Sequence, residues 1–256
     1  MKPTAPGSVP AGIAFASASY LLWGFLPIYF IFIASVGPFE IVSWRIVLSV
    51  AFCAILITIV RGWRRFGALF TDRRAMAWLT FASIVVAVNW TVFVFATTTG
   101  HVVEGALGYF INPIFTVLLG VILLRERLRP MQWVAVGISA VAVLVLTFGY
   151  GSVPWIALAL ALSFGLYGYA KNRVGPKVDA IGGLAAETAL LAPVAMVVLV
   201  VINATTGLQM FDGDPLVTTL LLLAGVITAT PLILFAAGAR RIPLSVLGLL
   251  QYLGPM

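Results

Sequence analysis

Charge is scarce in this chain. Of its 256 residues, 9% are Asp, Glu, Lys or Arg and 62% are hydrophobic, and the mean hydropathy is +1.13. A water-solvated domain carries roughly 25% charged residues, so a soluble fold is excluded. Cysteine occurs once, as Cys53, which rules out an intramolecular disulfide and a cysteine metal cluster. Histidine also occurs once, as His101, which rules out a paired-histidine metal site. No glycine-rich phosphate loop, HExxH motif or Ser/His/Asp set is found. The gaps between apolar runs are too short for a soluble catalytic domain. No cofactor, metal or enzymatic activity is therefore expected.

What the chain has is a series of long apolar runs. A helix crossing lipid needs about 20 apolar residues. Spans are expected at 12–33, 39–60, 75–96, 102–124, 132–146, 154–169, 182–201 and 216–238, with a ninth starting at Leu244. The first is read as a retained helix and not as a cleaved signal peptide. Fourteen of the fifteen Lys and Arg residues fall in alternate gaps. Lys2 precedes the first span. Arg61, Arg64, Arg65, Arg73 and Arg74 follow the second. Arg125, Arg127 and Arg129 follow the fourth, Lys171, Arg173 and Lys177 the sixth, and Arg240 and Arg241 the eighth. The other gaps carry Glu40, Glu104, Asp212 and Asp214 and no base. Basic loops stay on the cytoplasmic side, which predicts a multi-pass protein of the plasma membrane with a cytoplasmic N-terminus. The net charge of +7 is thereby assigned to the membrane surface, and nucleic acid is not an expected partner.

The chain also resembles itself. Leu107-Gly-Tyr-Phe-Ile-Asn-Pro113 is echoed 142 residues later by Leu249-Leu-Gln-Tyr-Leu-Gly-Pro255. Tyr20-x-x-Trp23-Gly24 is echoed by Phe164-x-x-Tyr167-Gly168. With five spans per half, the second half enters the membrane upside down. This predicts an all-α polytopic protein built as an inverted repeat of two five-helix bundles: ten helices in full, about nine here. The repeats are expected at 1–149 and 150–256, the second truncated within helix 9. A site is expected where the repeats meet near the midplane.

Arg45, the fifteenth base, lies inside the second span. It is either an anion or carboxylate anchor facing a cavity, or a base that snorkels outward to headgroups. Glu187 is the only acid well inside a run and the repeat partner of Arg45. It is the proton-coupling candidate, or alternatively a partner of Arg45 or a residue of the cytoplasmic rim. Pro27, Pro113 and Pro255 are expected to break their helices, since proline cannot donate and clashes with the carbonyl four residues back. Paired breaks in the two repeats point to a shared pocket. Around it, Arg45, Tyr109, Asn112, Gln251 and Tyr252 are candidate substrate-binding residues, with Trp23, Asn89, Trp90 and Tyr167. His101 and Glu104 fall in an external gap, read as a plain loop or a gate.

Several blocks carry a family resemblance. These are Ser19-Tyr-Leu-Leu-Trp-Gly-Phe-Leu-Pro27, Trp44-Arg45, Ala87-Val-Asn-Trp90, Gly105-Ala-Leu-Gly-Tyr-Phe-Ile-Asn-Pro113, the Arg125-Glu-Arg-Leu run, Arg240-Arg-Ile-Pro-Leu-Ser245 and Leu249-Leu-Gln-Tyr252. Together they resemble the RarD branch of the EamA transporters, in the drug/metabolite transporter superfamily, over essentially the whole chain. The resemblance implies ten helices in two inverted repeats in a bacterial inner membrane. It implies a secondary carrier of small organic metabolites or drugs, working by alternating access. The expected partners are a small-molecule solute and the lipid bilayer, and a homodimer is a further candidate arrangement. Two other readings stay open: a non-transporting membrane subunit and a membrane-embedded lipid-modifying enzyme.

Overall fold

In lipid no water is available for backbone N–H and C=O groups, so an apolar run must satisfy them internally as a helix. The structure, a computed structural model, describes residues 8–150, 154–211 and 214–254, and contains helices but no strand among them. The first span is two helices, α1 (Ser8–Gly24) and α2 (Leu26–Phe32). The second is α3 (Pro38–Ile59), followed by a short α4 (Trp63–Leu69). Then come α5 (Arg73–Thr98), α6 (Val102–Leu124), α7 (Pro130–Tyr150), α8 (Trp155–Val174), α9 (Ala180–Thr205) and α10 (Pro215–Ala239). The last is α11 (Leu244–Leu250), continued by a 3₁₀ turn at Gln251–Leu253.

Among the described residues, six stretches are long and apolar enough to cross a membrane: Val9–Phe32, Pro38–Ile59, Arg73–Thr97, Val103–Leu124, Ala180–Thr205 and Pro215–Ala239. α7 and α8, with 21 and 20 residues, also reach about 30 Å at 1.5 Å per residue. Their outward faces carry exposed Ile31, Ile59, Ile122, Met131, Ile138, Val145, Val197 and Val200. Helices apolar on every face belong in lipid.

Of the expected helix breaks at Pro27 and Pro113, the second is corrected. The first span is interrupted at Phe25, because Pro27, in the first turn of α2, cannot donate to the carbonyl one turn back. The chain tightens there through Phe25 N to Leu22 O and Ile28 N to Phe25 O, both 3.2 Å. Pro113, in contrast, lies inside an unbroken α6. Its carbonyl lies at the crossing with α11, where a Cβ added to Gly248 would stand 3.1 Å away. Pro255 lies outside the described residues. α4 was not expected within the basic gap. Its Trp63 and Phe66 pack edge-on, as do Phe66 and Phe70, while Arg64 and Arg65 stay exposed.

Four of the helix pairings are related by symmetry. α1 lies on α10 and α8 lies on α5, while α3 pairs with α9 and α6 with α11. Exchanging each span with the one five places later maps the first two pairs onto each other and leaves the last two unchanged. The loops sort by charge. Lys177 reaches Asp72 at 3.2 Å, Gly12 abuts Arg241, Gly175 abuts Arg240, and Glu126 reaches the start of α11. The start of α1 and the ends of α3, α6, α8 and α10 therefore share one face, and that face holds the loop bases. On the other face Glu40 meets Gln209 and Met210. Asp72, Asp179 and Asp214 accept from the first-turn amides of α5, α9 and α10. Helix capping accounts for acids on both faces.

Candidate functional site

Arg45 is the eighth residue of α3, about 10 Å along the helix from Pro38. Its side chain is 8% exposed and points to α10, where its Nε donates to Thr228 Oγ1 at 2.8 Å. It does not snorkel. The guanidinium carbon stands 5.4 Å from the ring centre of Phe30 and 5.3 Å from that of Trp90, so the charge is held against two π faces. The hydroxyls of Tyr29 and Tyr109 lie within electrostatic reach of it. Tyr109 is 45% exposed and meets Phe93 edge-on at 6.1 Å, and Phe93 meets Phe30 at 6.2 Å. Arg45, Trp90 and Tyr109, all expected, thus come together. Tyr29, Phe30, Phe93 and Thr228 join them.

Glu187 is the eighth residue of α9, at the depth of Arg45 but measured from the opposite face, since α3 and α9 run antiparallel. It does not pair with Arg45. Its Oε1 lies 2.7 Å from Lys171 Nζ, and its Oε2 accepts from Tyr167 Oη at 3.2 Å. The two charged side chains are 1% and 3% exposed. Lys171 was expected in a basic loop. α8 instead continues past Tyr169 to Val174, and its last full turn carries the base inward onto the acid. Tyr167 is stacked on Phe235 at 5.7 Å and 14°. Trp23 joins Tyr20, Phe164 and Phe235 in the same aromatic cluster, with ring centres 5.4–5.7 Å from it.

The remaining candidates are placed elsewhere. Asn89 ties α5 to α8, its Nδ2 donating to Leu160 O at 3.1 Å and Ser163 Oγ at 3.0 Å. Asn112 is buried and accepts from Thr116 one turn on. Tyr252 Oη donates to Phe110 O at 3.5 Å, joining the two positions that the internal echo aligns. Gln251 is buried, and its Oε1 has no hydrogen-bond partner among the described residues. His101 stacks on Phe95 and meets Thr99 Oγ1 through Nδ1, while Glu104 is buried at the start of α6. A separate shallow cleft of about 320 Å³ lies against Met210, Phe211, Pro215, Thr218 and Thr219, with no charged group among the described residues that line it.

Two acids outside the expected set join distant segments. Glu126 accepts from the amides of Leu244 and Ser245 at 2.7 and 2.9 Å, clamping the end of α6 to the start of α11. Arg125 adopts a left-handed φ of 55°, which turns the chain back, and Gly120 leaves room for the carboxylate. Glu40 accepts from Gln209 N, Met210 N and Trp44 Nε1 on the other face. A Glu-Arg-Leu run in a loop gives no hint of which amides it will meet, so only the resemblance had marked Glu126.

A bundle of spanning helices with buried charges along its seams is the architecture of a polytopic membrane transporter. The fold matches a solved protein crystal structure with a TM-score of 0.69 over 96% of this chain and 86% of that one, at 18% identity, a likeness of fold alone. Residues 10–148 match the EamA-like transporter family. The chain is 40% identical to Protein RarD of Streptomyces exfoliatus over 96% of this chain and 77% of that one. It is 38% identical to Protein RarD of Escherichia coli K12 over 95% and 82% of the two chains. An uncharacterized transporter of Bacillus subtilis 168, YojE, is 38% identical over the same shares. The chain belongs to the EamA-like transporter family, in its RarD branch. It is a multi-pass inner-membrane transporter of the drug/metabolite superfamily.

Proposed function

We propose that the chain is a secondary carrier of small organic metabolites or drugs, working by alternating access around Arg45. Two repeats, 1–149 and 150–256, rock about the axis on which α3 meets α9 and α6 meets α11. The observation that carries this reading is the symmetrical pairing of the helices, with one buried base at the α3–α10 seam between the repeats. Carriers of this construction hold their site where repeats meet. The basic face lies in the cytoplasm, which puts the N-terminus there. Arg45, Trp90 and Tyr109 contact the solute. Trp23, Tyr167, Asn89, Asn112, Gln251 and Tyr252 shape the path, and Glu187 with Lys171 forms its neutral cytoplasmic end.

The test combines flux with sidedness. Purified protein in proteoliposomes is screened with a panel of labelled organic anions, cations and neutral solutes. At least one should move faster than in protein-free vesicles. In a Cys53→Ser background, single cysteines at Arg65 and Asp214 should react with an impermeant maleimide from opposite sides of the membrane. A panel with no transported solute removes the carrier reading. Reaction of both cysteines from one side removes the topology.

A further inference from the structure

We infer that the Arg45 site takes a solute carrying one carboxylate on a flat apolar body; this deepens the carrier reading and rests on it. A guanidinium has five N–H donors in a planar fork. In Arg45 the Nε–H is taken by Thr228, and no protein acceptor meets the two terminal amino groups among the described residues. Those groups are not sealed in. Gln251 Oε1 is the only sealed, partnerless side-chain polar atom among the described residues, so the terminal nitrogens of Arg45 open onto accessible space. The free pair of donors presents an edge that matches the two oxygens of a carboxylate.

Charge selects the class of anion. The side-chain oxygen bonded to Arg45 is the Thr228 hydroxyl, and no carboxylate forms a salt bridge with it among the described residues. Of the three buried acids among the described residues, Glu187 is held by Lys171 and Tyr167, Glu40 by Trp44, Gln209 and Met210, and Glu104, in the first turn of α6, forms no salt bridge with Arg45. Lys171, the other buried base, is spent on Glu187. Arg45 is therefore a buried positive charge with no ion-pair partner among the described residues, which suits a monoanion and not a phosphate dianion. A charge buried without a partner is unfavourable, and a bound anion removes that deficit. Phe30 and Trp90 flank the guanidinium, and Phe93 and the exposed face of Tyr109 lie beside Phe30. These walls fit a planar apolar group adjoining the carboxylate.

The test holds the body constant and changes the charge. Phenylacetate and indole-3-acetate are compared with their amides and amines, by calorimetric titration of the purified protein and by counterflow in proteoliposomes. A carboxylate should bind, with its amide at least about tenfold weaker, equivalent to roughly 1.4 kcal/mol, and its amine undetected. Arg45→Gln should abolish the preference for the acid. Arg45→Lys, a point charge without the fork, should weaken the acid about tenfold without reversing the order. Thr228→Val, which loosens the fork and keeps its charge, gives a second variant should Arg45→Gln fail to fold, and should weaken the acid more than the amide. Amides or amines binding as well as acids overturn the proposal, as does an acid preference that survives Arg45→Gln, and either result leaves the carrier reading standing. No binding by any of the six probes also overturns it. Absence of transport across the broader panel would remove the carrier reading itself.

Discussion

Breaking the Lys171–Glu187 pair tests the buried electrostatics directly. The two groups are 2.7 Å apart and 3% and 1% exposed. Removing one partner of such a pair strands a charge in a low dielectric, at about 3–5 kcal/mol. Lys171→Met leaves Glu187 with only the Tyr167 hydroxyl, and Glu187→Leu leaves Lys171 with no acceptor. Independent effects would sum to about 6–10 kcal/mol in the double variant. The structure gives a different outcome. With both charges gone, what remains is mainly the orphaned Tyr167 hydroxyl, at about 1–3 kcal/mol. The double variant should therefore be more stable than either single one, with a coupling energy of at least about 3 kcal/mol. Unfolding by SDS in mixed micelles, followed by tryptophan fluorescence, measures the four corners of the cycle. Additivity within about 0.5 kcal/mol would show that the two side chains do not share one site, and the reasoning would fail.

Two further perturbations follow from the loops. Glu126→Ala should cost about 1–3 kcal/mol and speed hydrogen exchange at the Leu244 and Ser245 amides, which lose their acceptor. Gly120→Ala should mimic it, since its new Cβ would stand 2.9 Å from Glu126 Oε2, and unchanged exchange in both variants would contradict the clamp. The Asp72 carboxyl is held below the usual carboxylate range first by the amide of Ala75 and then by Lys177. A lowered folded value means that its stabilisation is complete above the unfolded value of about 3.9 and is lost as pH falls through the folded one. The melting difference between the wild type and Asp72→Asn should stay level from pH 8 to about 5 and shrink below about 4. A difference that grows on acidification would reverse the sign of that shift.

Much of the helical frame is legible in the sequence, because a run of about 20 apolar residues in lipid has few alternatives to a helix. Arg45 stands out for the same reason: it is the only base placed well inside a run, so something had to receive it. What receives it was not legible. Thr228 lies 183 positions away, and Phe30 meets Arg45 from α2, the helix that restarts after the chain tightens at Phe25. Lys171 shows the limit of counting charges in gaps. Hydropathy ends an apolar span at its first charge, but a helix continues as long as its polar groups find partners, and Glu187 supplies one from another helix. Pro113 errs the other way. Its local chemistry predicts a break, yet α6 runs through it, with Gly248 of α11 packed close against its carbonyl.

The bond between Arg45 Nε and Thr228 Oγ1 joins α3 to α10 at 2.8 Å. Beyond about 3.5 Å it ceases to be a hydrogen bond, so the two helices have about 0.7 Å of slack before the guanidinium loses its tether. An untethered Arg45 is free to rotate, and its outer fork no longer points one way. If Arg45 holds the solute as proposed, grip and geometry are a single variable: whatever parts these helices also lets go of the cargo.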